Sequence, residues 1–246
     1  MSAAETPQGL FITGTDTGVG KTLVAAALAK LLSERHINVG VMKPAESGVD
    51  DPRQLGADAK LLKWAADSPL PDAQICPYRL RAPLAPAVAA AKEKIRIDYS
   101  NLVQQAQQII SDHEFTLIEG AGGLMTPLAG GLLMADFARA IGLPLLVVCR
   151  PDLGTVNHTL LTLFSARNMD LPTAGYLINN MPVRKTAAEE TAAHTLASLT
   201  SEELVGILGA VEGDDRRKVA QLAEQIAALP TLSLLAKYLP TAFAER

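Results

Sequence analysis

The stretch Leu10-Phe-Ile-Thr-Gly-Thr-Asp-Thr-Gly-Val-Gly-Lys-Thr22 constrains this chain more than any other. An apolar run leads into a glycine-rich turn, and an alanine- and leucine-rich segment follows. Gly14, Gly18 and Gly20 permit backbone angles and close approaches that a Cβ forbids. A strand, such a turn and then a helix direct backbone N–H groups and a helix N-terminus at one point, which suits a phosphate chain. Lys21 adds a point charge for the β- and γ-phosphates, and the Thr22 hydroxyl is a ligand for magnesium. Five residues separate Gly14 from Gly20 where the usual loop has four, and Thr15 takes the standard glycine position. A chance Gly-Lys-Thr would lack the flanking strand and helix, both of which are present here.

The rest of the chain repeats this alternation. Short apolar, β-rich runs at 10–13, 39–43, 115–119, 145–149, 174–179 and 205–208 read as strands buried on both faces. Helical periodicity covers 21–34, 58–66, 101–112, 133–141, 156–168, 187–199 and 216–228. Strand and helix in turn imply right-handed crossovers and a doubly wound, mainly parallel α/β sheet with helices on both faces. Its class is that of phosphate-loop nucleoside triphosphatases. The 246 residues suffice for one large core, and no composition break divides them, so a single domain over 1–246 is expected. The segment 77–86, with three prolines, reads as an ordered loop on the rim of a cleft or as a plain connector.

Composition excludes several classes. With 22 Lys and Arg against 26 Asp and Glu, the net charge is −4, which argues against a dedicated nucleic-acid binder. Cys76 and Cys149 are too few for a disulfide framework and read as packed thiols of a reducing compartment. Residues 1–9 carry no basic start and no long apolar stretch, so no signal peptide is expected, and a cytoplasmic location follows. The apolar runs are too short to span a bilayer.

Further pieces fall at strand ends. Glu119 closes an apolar run and opens Gly120-Ala-Gly-Gly123, the place for a magnesium-organising carboxylate at the carboxyl edge of a sheet. Lys43-Pro-Ala-Glu-Ser-Gly48 follows the second run; Lys43 can offset phosphoryl charge, and Ser47 and Gly48 can hydrogen-bond a polar substrate group. Asp58 is either a second carboxylate near magnesium or only a helix N-cap. Gly154, Thr155 and Asn157 open a helix that either binds an anion or is simply capped. Asn179 and Asn180, placed just after the fifth strand, offer amides to a purine edge or only form a turn. His158 is the only histidine near a candidate site, and no zinc spacing or Gly-x-Ser-x-Gly elbow occurs.

Thr13-Gly-Thr-Asp-Thr-Gly-Val-Gly-Lys-Thr22, Lys43-Pro-Ala-Glu-Ser-Gly48, Glu119-Gly-Ala-Gly-Gly123, Leu153-Gly-Thr-Val-Asn-His158 and Asn179, in this order, resemble the dethiobiotin synthetase family. That family has the same lengthened loop. The resemblance implies a homodimeric, magnesium- and ATP-dependent ligase acting on diaminopelargonic acid and carbon dioxide, on a seven-stranded sheet. It also implies that Thr17, Gly18, Val19, Gly20, Lys21, Thr22 and Leu23 hold the phosphates, together with Gly120, Ala121 and Gly122. Thr22, Asp58 and Glu119 would surround magnesium, and Lys43 would be catalytic beside Lys21. Ser47 would contact substrate, with Gly154, Thr155, Val156 and Asn157 reaching its carboxylate from the partner subunit. Asn179, Asn180 and Gly209 would meet the base. Gly209 stands where the family usually has proline, Ala87 where a histidine often follows the proline-rich segment, and Thr191 near a tyrosine position.

Three rivals share parts of the pattern. Phosphate-loop amide ligases carry a glutaminase domain for which this chain has no room. Switch ATPases of the chromosome-partition or division-site type place a lysine four residues before the Gly20 position, where Asp16 stands here. A non-catalytic module of the same fold would have no need of Lys43, Ser47 and Glu119.

Overall fold

The computed structural model describes residues 9–240 and residue 243. Residues 1–8, which hold most of the stretch read for a signal peptide, lie outside the described set. The chain begins β1 (Gly9–Gly14), α1 (Lys21–Ser33), β2 (Val39–Met42), β3 (Ala45–Ser47), α2 (Ala57–Ala65), α3 (Asp72–Ile75) and β4 (Tyr78–Leu80). It continues with α4 (Pro86–Lys92), α5 (Tyr99–Asp112), β5 (Phe115–Gly123), β6 (Pro127–Ala129), β7 (Leu132–Leu133) and α6 (Met134–Ile141). The last part holds β8 (Leu145–Cys149), α7 (Thr155–Asn168), β9 (Thr173–Met181), α8 (Ala187–Leu199), β10 (Leu204–Gly209), α9 (Asp215–Ala227) and α10 (Leu232–Ala236).

Six strands form one parallel sheet in the order β10-β9-β8-β1-β5-β2. Side-chain alternation explains how each strand feeds two layers. Leu10 and Ile12 pack with α1, α2 and α9, whereas Phe11 between them joins the core under α4, α5 and α6. Likewise Leu146 and Val148 enter the first core, and Val147 and Cys149 enter a third under α7 and α8. Helix α1 is buried nearly all round, from Val24 to Ala29 and at Leu31 and Leu32, so its small alanines let it lie close to the sheet with α2 and α9 against it.

The six predicted strands and seven predicted helices are all present, within a few residues at their ends. The expected seventh strand is not found among the described residues. After Lys43 the chain bends at Pro44, and β3 then pairs in parallel with β4 in a separate two-stranded sheet. A proline offers no N–H to continue the main ladder. Segment 77–86 is therefore part strand, and its end, Pro83 to Pro86, lies on a pocket wall. β5 runs on through the glycines to Gly123, and β9 through both asparagines to Met181, so Asn179 and Asn180 sit inside a strand end.

Strand β1 is flanked by β5 on one side and β8 on the other; from β1 the chain moves to β2 on the β5 side, whereas from β8 it moves the other way to β9 and β10. Its carboxyl end is thus the switch point, where a crevice opens for a ligand.

Candidate active site

The loop from Gly14 to Lys21 sits in that crevice. Gly20 is left-handed at φ 90°, and a Cβ there would lie 2.2 Å from Asn179 Nδ2. Only glycine meets both demands. No side chain caps α1, so its first N–H groups remain for an anion. Lys21 Nζ reaches back to donate to the Asp16 carbonyl at 2.9 Å. Burial lowers the Lys21 pKa, with the Glu119 charge opposing.

Next to the loop, Lys43 Nζ donates to Glu119 Oε1 at 2.6 Å and to Asp58 Oδ2 at 2.8 Å. Thr22 donates its hydroxyl to the same Glu119 Oε1 at 2.8 Å. β2 delivers Lys43, β5 delivers Glu119 and α2 delivers Asp58, so three elements meet at one point. Burial acts against the Lys43 charge, but the carboxylates of Glu119 and Asp58 prevail and raise its pKa. Burial likewise opposes ionisation of Asp58, and Lys43 overcomes it, leaving that pKa below the usual carboxylate value. Burial raises the pKa of Glu119. Asp58 is the second residue of α2, not its cap; Gly56 holds that position.

Glu119 Oε2 is buried without a hydrogen-bond partner. With Thr22 Oγ1 and Asp58 it makes an all-oxygen set suited to a hard cation. No group of three or more His, Cys, Asp or Glu side chains able to hold a metal occurs among the described residues. Magnesium fits such a sparse set, because it takes one or two carboxylates and completes its shell with waters and substrate phosphates.

Three adjoining pockets surround these groups. One of about 350 Å³ is lined by Thr17, Gly18, Lys21, Thr22, Lys43, Asp58 and Glu119. A second, of about 220 Å³, shares Gly18, Gly20 and Leu23 with it and adds Val19, Asn179, Asn180 and Gly209. The third, of about 420 Å³, shares Thr17, Lys43, Asp58 and Gly122 with the first and adds Ser47, Ala121 and the Pro83–Pro86 rim. The pocket around Lys21 thus lies between the other two, joined to one at Gly18 and Gly20 and to the other at Lys43. Ser47 Oγ is buried and unpartnered in the protein. One expected contact is not brought here. Gly120 lies under Phe11, 3.1 Å from where its Cβ would be, and lines none of the three. Gly154, Thr155, Val156 and Asn157 open α7 and line none of the three pockets of their own chain, in keeping with a contact expected across a dimer.

Comparison with known proteins gives this arrangement a family. A protein-family model described as an AAA domain matches residues 8–217. An ATP-dependent dethiobiotin synthetase BioD of Anaeromyxobacter dehalogenans is 40% identical over 90% of this chain and 98% of its own length. That of Bacillus licheniformis is 39% identical over 83% of this chain and 87% of its own. The chain belongs to the dethiobiotin synthetase family. Among solved structures, a ParA family ATPase from Chlorobium tepidum superposes with TM-score 0.57 at 14% identity, covering 92% of this chain and 95% of that one. A MinC:MinD cell division complex from Aquifex aeolicus gives 0.56 at 14% identity, over 94% and 93%. At such identities these two share the fold.

Sequence reasoning passed over two groups in this synthetase. Arg150, just past β8, lies 3.7 Å from Asp16, 3.3 Å from Asp152 and 3.3 Å from His158 Nδ1, tying the loop to the start of α7. A charge ending an apolar strand was the available signal, the same one that marks Glu119. Glu46 is buried and bonded to the first turn of α2, which nothing in its local sequence announces.

Proposed function

We propose that this protein is an ATP- and magnesium-dependent dethiobiotin synthetase that closes a cyclic urea from diaminopelargonic acid and carbon dioxide. The observation that carries this reading is Lys43, held by Glu119 and Asp58 on the wall shared by the phosphate and substrate pockets.

Lys21 and the N–H groups of residues 17–23 bind the β- and γ-phosphates, as does the turn at Ala121 and Gly122. Thr22, Asp58 and Glu119 hold magnesium, which when bound spreads the charge of the phosphate oxygens. Asn179 gives its Nδ2 to the Val19 carbonyl, so its own oxygen is left to accept from an exocyclic amine of the base. Asn180 and Gly209 complete that compartment.

One substrate amine takes up carbon dioxide as a carbamate. Its oxygen attacks the γ-phosphorus, ADP leaves, and a carbamic-phosphoric anhydride remains. The second amine attacks the carbonyl carbon, phosphate departs and the ring closes. Lys43 sits where both charged stages pass, and stabilises them by a fixed positive charge. Ser47 orients the substrate. Positioning and electrostatics suffice for this chemistry, so no histidine base is required.

A homodimer is supported by exposed apolar side chains near the start and middle of α7, Leu153, Leu161 and Phe164, with Met125. Such a pairing would bring the partner's segment 154–157 to the substrate carboxylate. One sheet drawing strands from β1 to β10 supports a single domain, and no helix of the described residues is long and apolar enough to cross a membrane. A cytoplasmic location suits both buried thiols.

Purified protein supplied with ATP, magnesium, bicarbonate and the diamine is expected to release one ADP and one phosphate per cyclic urea. ATP hydrolysis indifferent to the diamine would instead support a switch ATPase.

A further inference from the structure

Helix α2 presents Asp58 to Lys43, yet its own sequence provides no cap. Gly56 at the N-cap has no side chain, and no neighbouring side chain caps the first turn. The missing acceptor comes from β3. Glu46 Oε1 accepts the Asp58 N–H at 2.9 Å, and Oε2 accepts the Ala59 N–H at 3.1 Å. A capping carboxylate normally belongs to the residues beside the helix start; this one stands 12 residues before Asp58.

Gly56 makes the arrangement possible. Its φ of −70° suits any residue, so backbone conformation does not require glycine. A Cβ there, however, would lie 2.1 Å from Glu46 Oε1 and 2.3 Å from its Cδ. The absent side chain leaves the room the carboxylate fills. Glu46 is 7% exposed, and its negative charge meets the positive end of α2. Asp58 is thereby pinned twice, by its N–H to Glu46 and by its carboxylate to Lys43.

We propose that Glu46 is a positioning residue: through the backbone of α2 it holds the Asp58 carboxylate in place for Lys43 and for the cation that accompanies the nucleotide. This rests on the role proposed above for Asp58. Glu46 lines the third pocket but not the one around the phosphate loop, so the loop's grip on a nucleotide is independent of it.

The test is the affinity for ADP with and without magnesium, by calorimetry, in the full-length protein and in Glu46→Ala, Glu46→Gln, Asp58→Asn and Glu46→Ala/Asp58→Asn variants. No diamine is needed, so the result does not depend on the ligase reaction. Glu46→Ala is expected to weaken magnesium-dependent ADP binding about tenfold, the usual effect of removing a group that orients a metal ligand. Magnesium-free ADP binding should stay within about twofold, since Lys21 and the loop are untouched. Glu46→Gln, whose oxygen still accepts one N–H, should recover part of the loss, and it serves in place of Glu46→Ala should that variant not fold. The double variant should bind no more weakly than Asp58→Asn alone, because coupled residues are not additive. A full additive loss in the double variant, or an equal fall without magnesium, would overturn the proposal at Glu46. An Asp58→Asn variant that binds magnesium-ADP like the parent would overturn it through Asp58 instead.

Discussion

Lys43 Nζ and Glu119 Oε1 lie 2.6 Å apart, on side chains that are almost wholly buried. Two charges in such a place cost much solvation, which their mutual attraction repays only with further hydrogen bonds. Asp58 and Thr22 supply these. The lysine stays protonated because two carboxylates outweigh burial, and the pair holds a positive charge at the boundary between two pockets.

Removing the lysine should therefore have two effects. Lys43→Met is expected to lower kcat by about 10²- to 10³-fold, the scale of losing one transition-state charge contact. It should also leave the buried Glu119 without its cationic partner, reducing the stability of the ligand-free protein by about 3 kcal/mol. Steady-state kinetics and chemical denaturation read the two separately.

Thr22→Val keeps the shape of the side chain and deletes the hydroxyl that Glu119 accepts. Magnesium-ADP affinity should fall at least about tenfold, as for a lost hydrogen bond to a charged group. ADP binding without magnesium should change little. Isothermal titration in the two conditions distinguishes these outcomes.

Lys21 binds phosphate only as an ammonium. Burial pulls its pKa below the ordinary 10.5, so rising pH removes the proton earlier than from an exposed lysine. kcat/KM for ATP reports the free enzyme and should start to fall at a pH below 10.5. Lys21→Arg keeps its charge throughout and should flatten that alkaline limb while lowering the rate. A limb unmoved in the arginine variant would assign it to another group.

Much of this was legible in the chain itself. The apolar runs located all six main strands because a parallel sheet buried on both faces leaves few polar positions in them. Loop, Lys43 and Glu119 were readable because each follows an apolar run toward the carboxyl edge of the sheet, where topology gathers ligands, although β5 itself continues past Glu119 to Gly123. Contacts made across the chain were not. The Glu46 cap depends on a pairing of β3 with the start of α2 that no local period encodes. The main sheet has six strands among the described residues and not the expected seven, and after Pro44 the segment 45–47 pairs with β4 instead, a choice made by tertiary packing. Asn179 read as a base contact or a turn residue, and the bond its amide makes inside the fold to brace the Val19 carbonyl was not visible locally.

The exposed face of α7 gives a prediction about assembly. Phe164 is 65% exposed and Leu161, three residues before it, 55%. Neighbours at that spacing share a helix face. Phe164→Asp should shift the protein to monomer in light scattering and raise KM for the diamine at least about tenfold, because burying a lone charge in an interface costs several kcal/mol. ADP affinity should be unaffected.

Transfer of the γ-phosphate to a carbamate oxygen beside Lys43 is followed most directly with isotopic oxygen. In a rapid single turnover with ¹⁸O-labelled carbon dioxide, that oxygen leaves with the phosphate. Mass spectrometry should then find one ¹⁸O in the inorganic phosphate and one in the cyclic urea. Phosphate free of label, formed at the same rate, would mean that water attacks ATP directly, and would contradict the account.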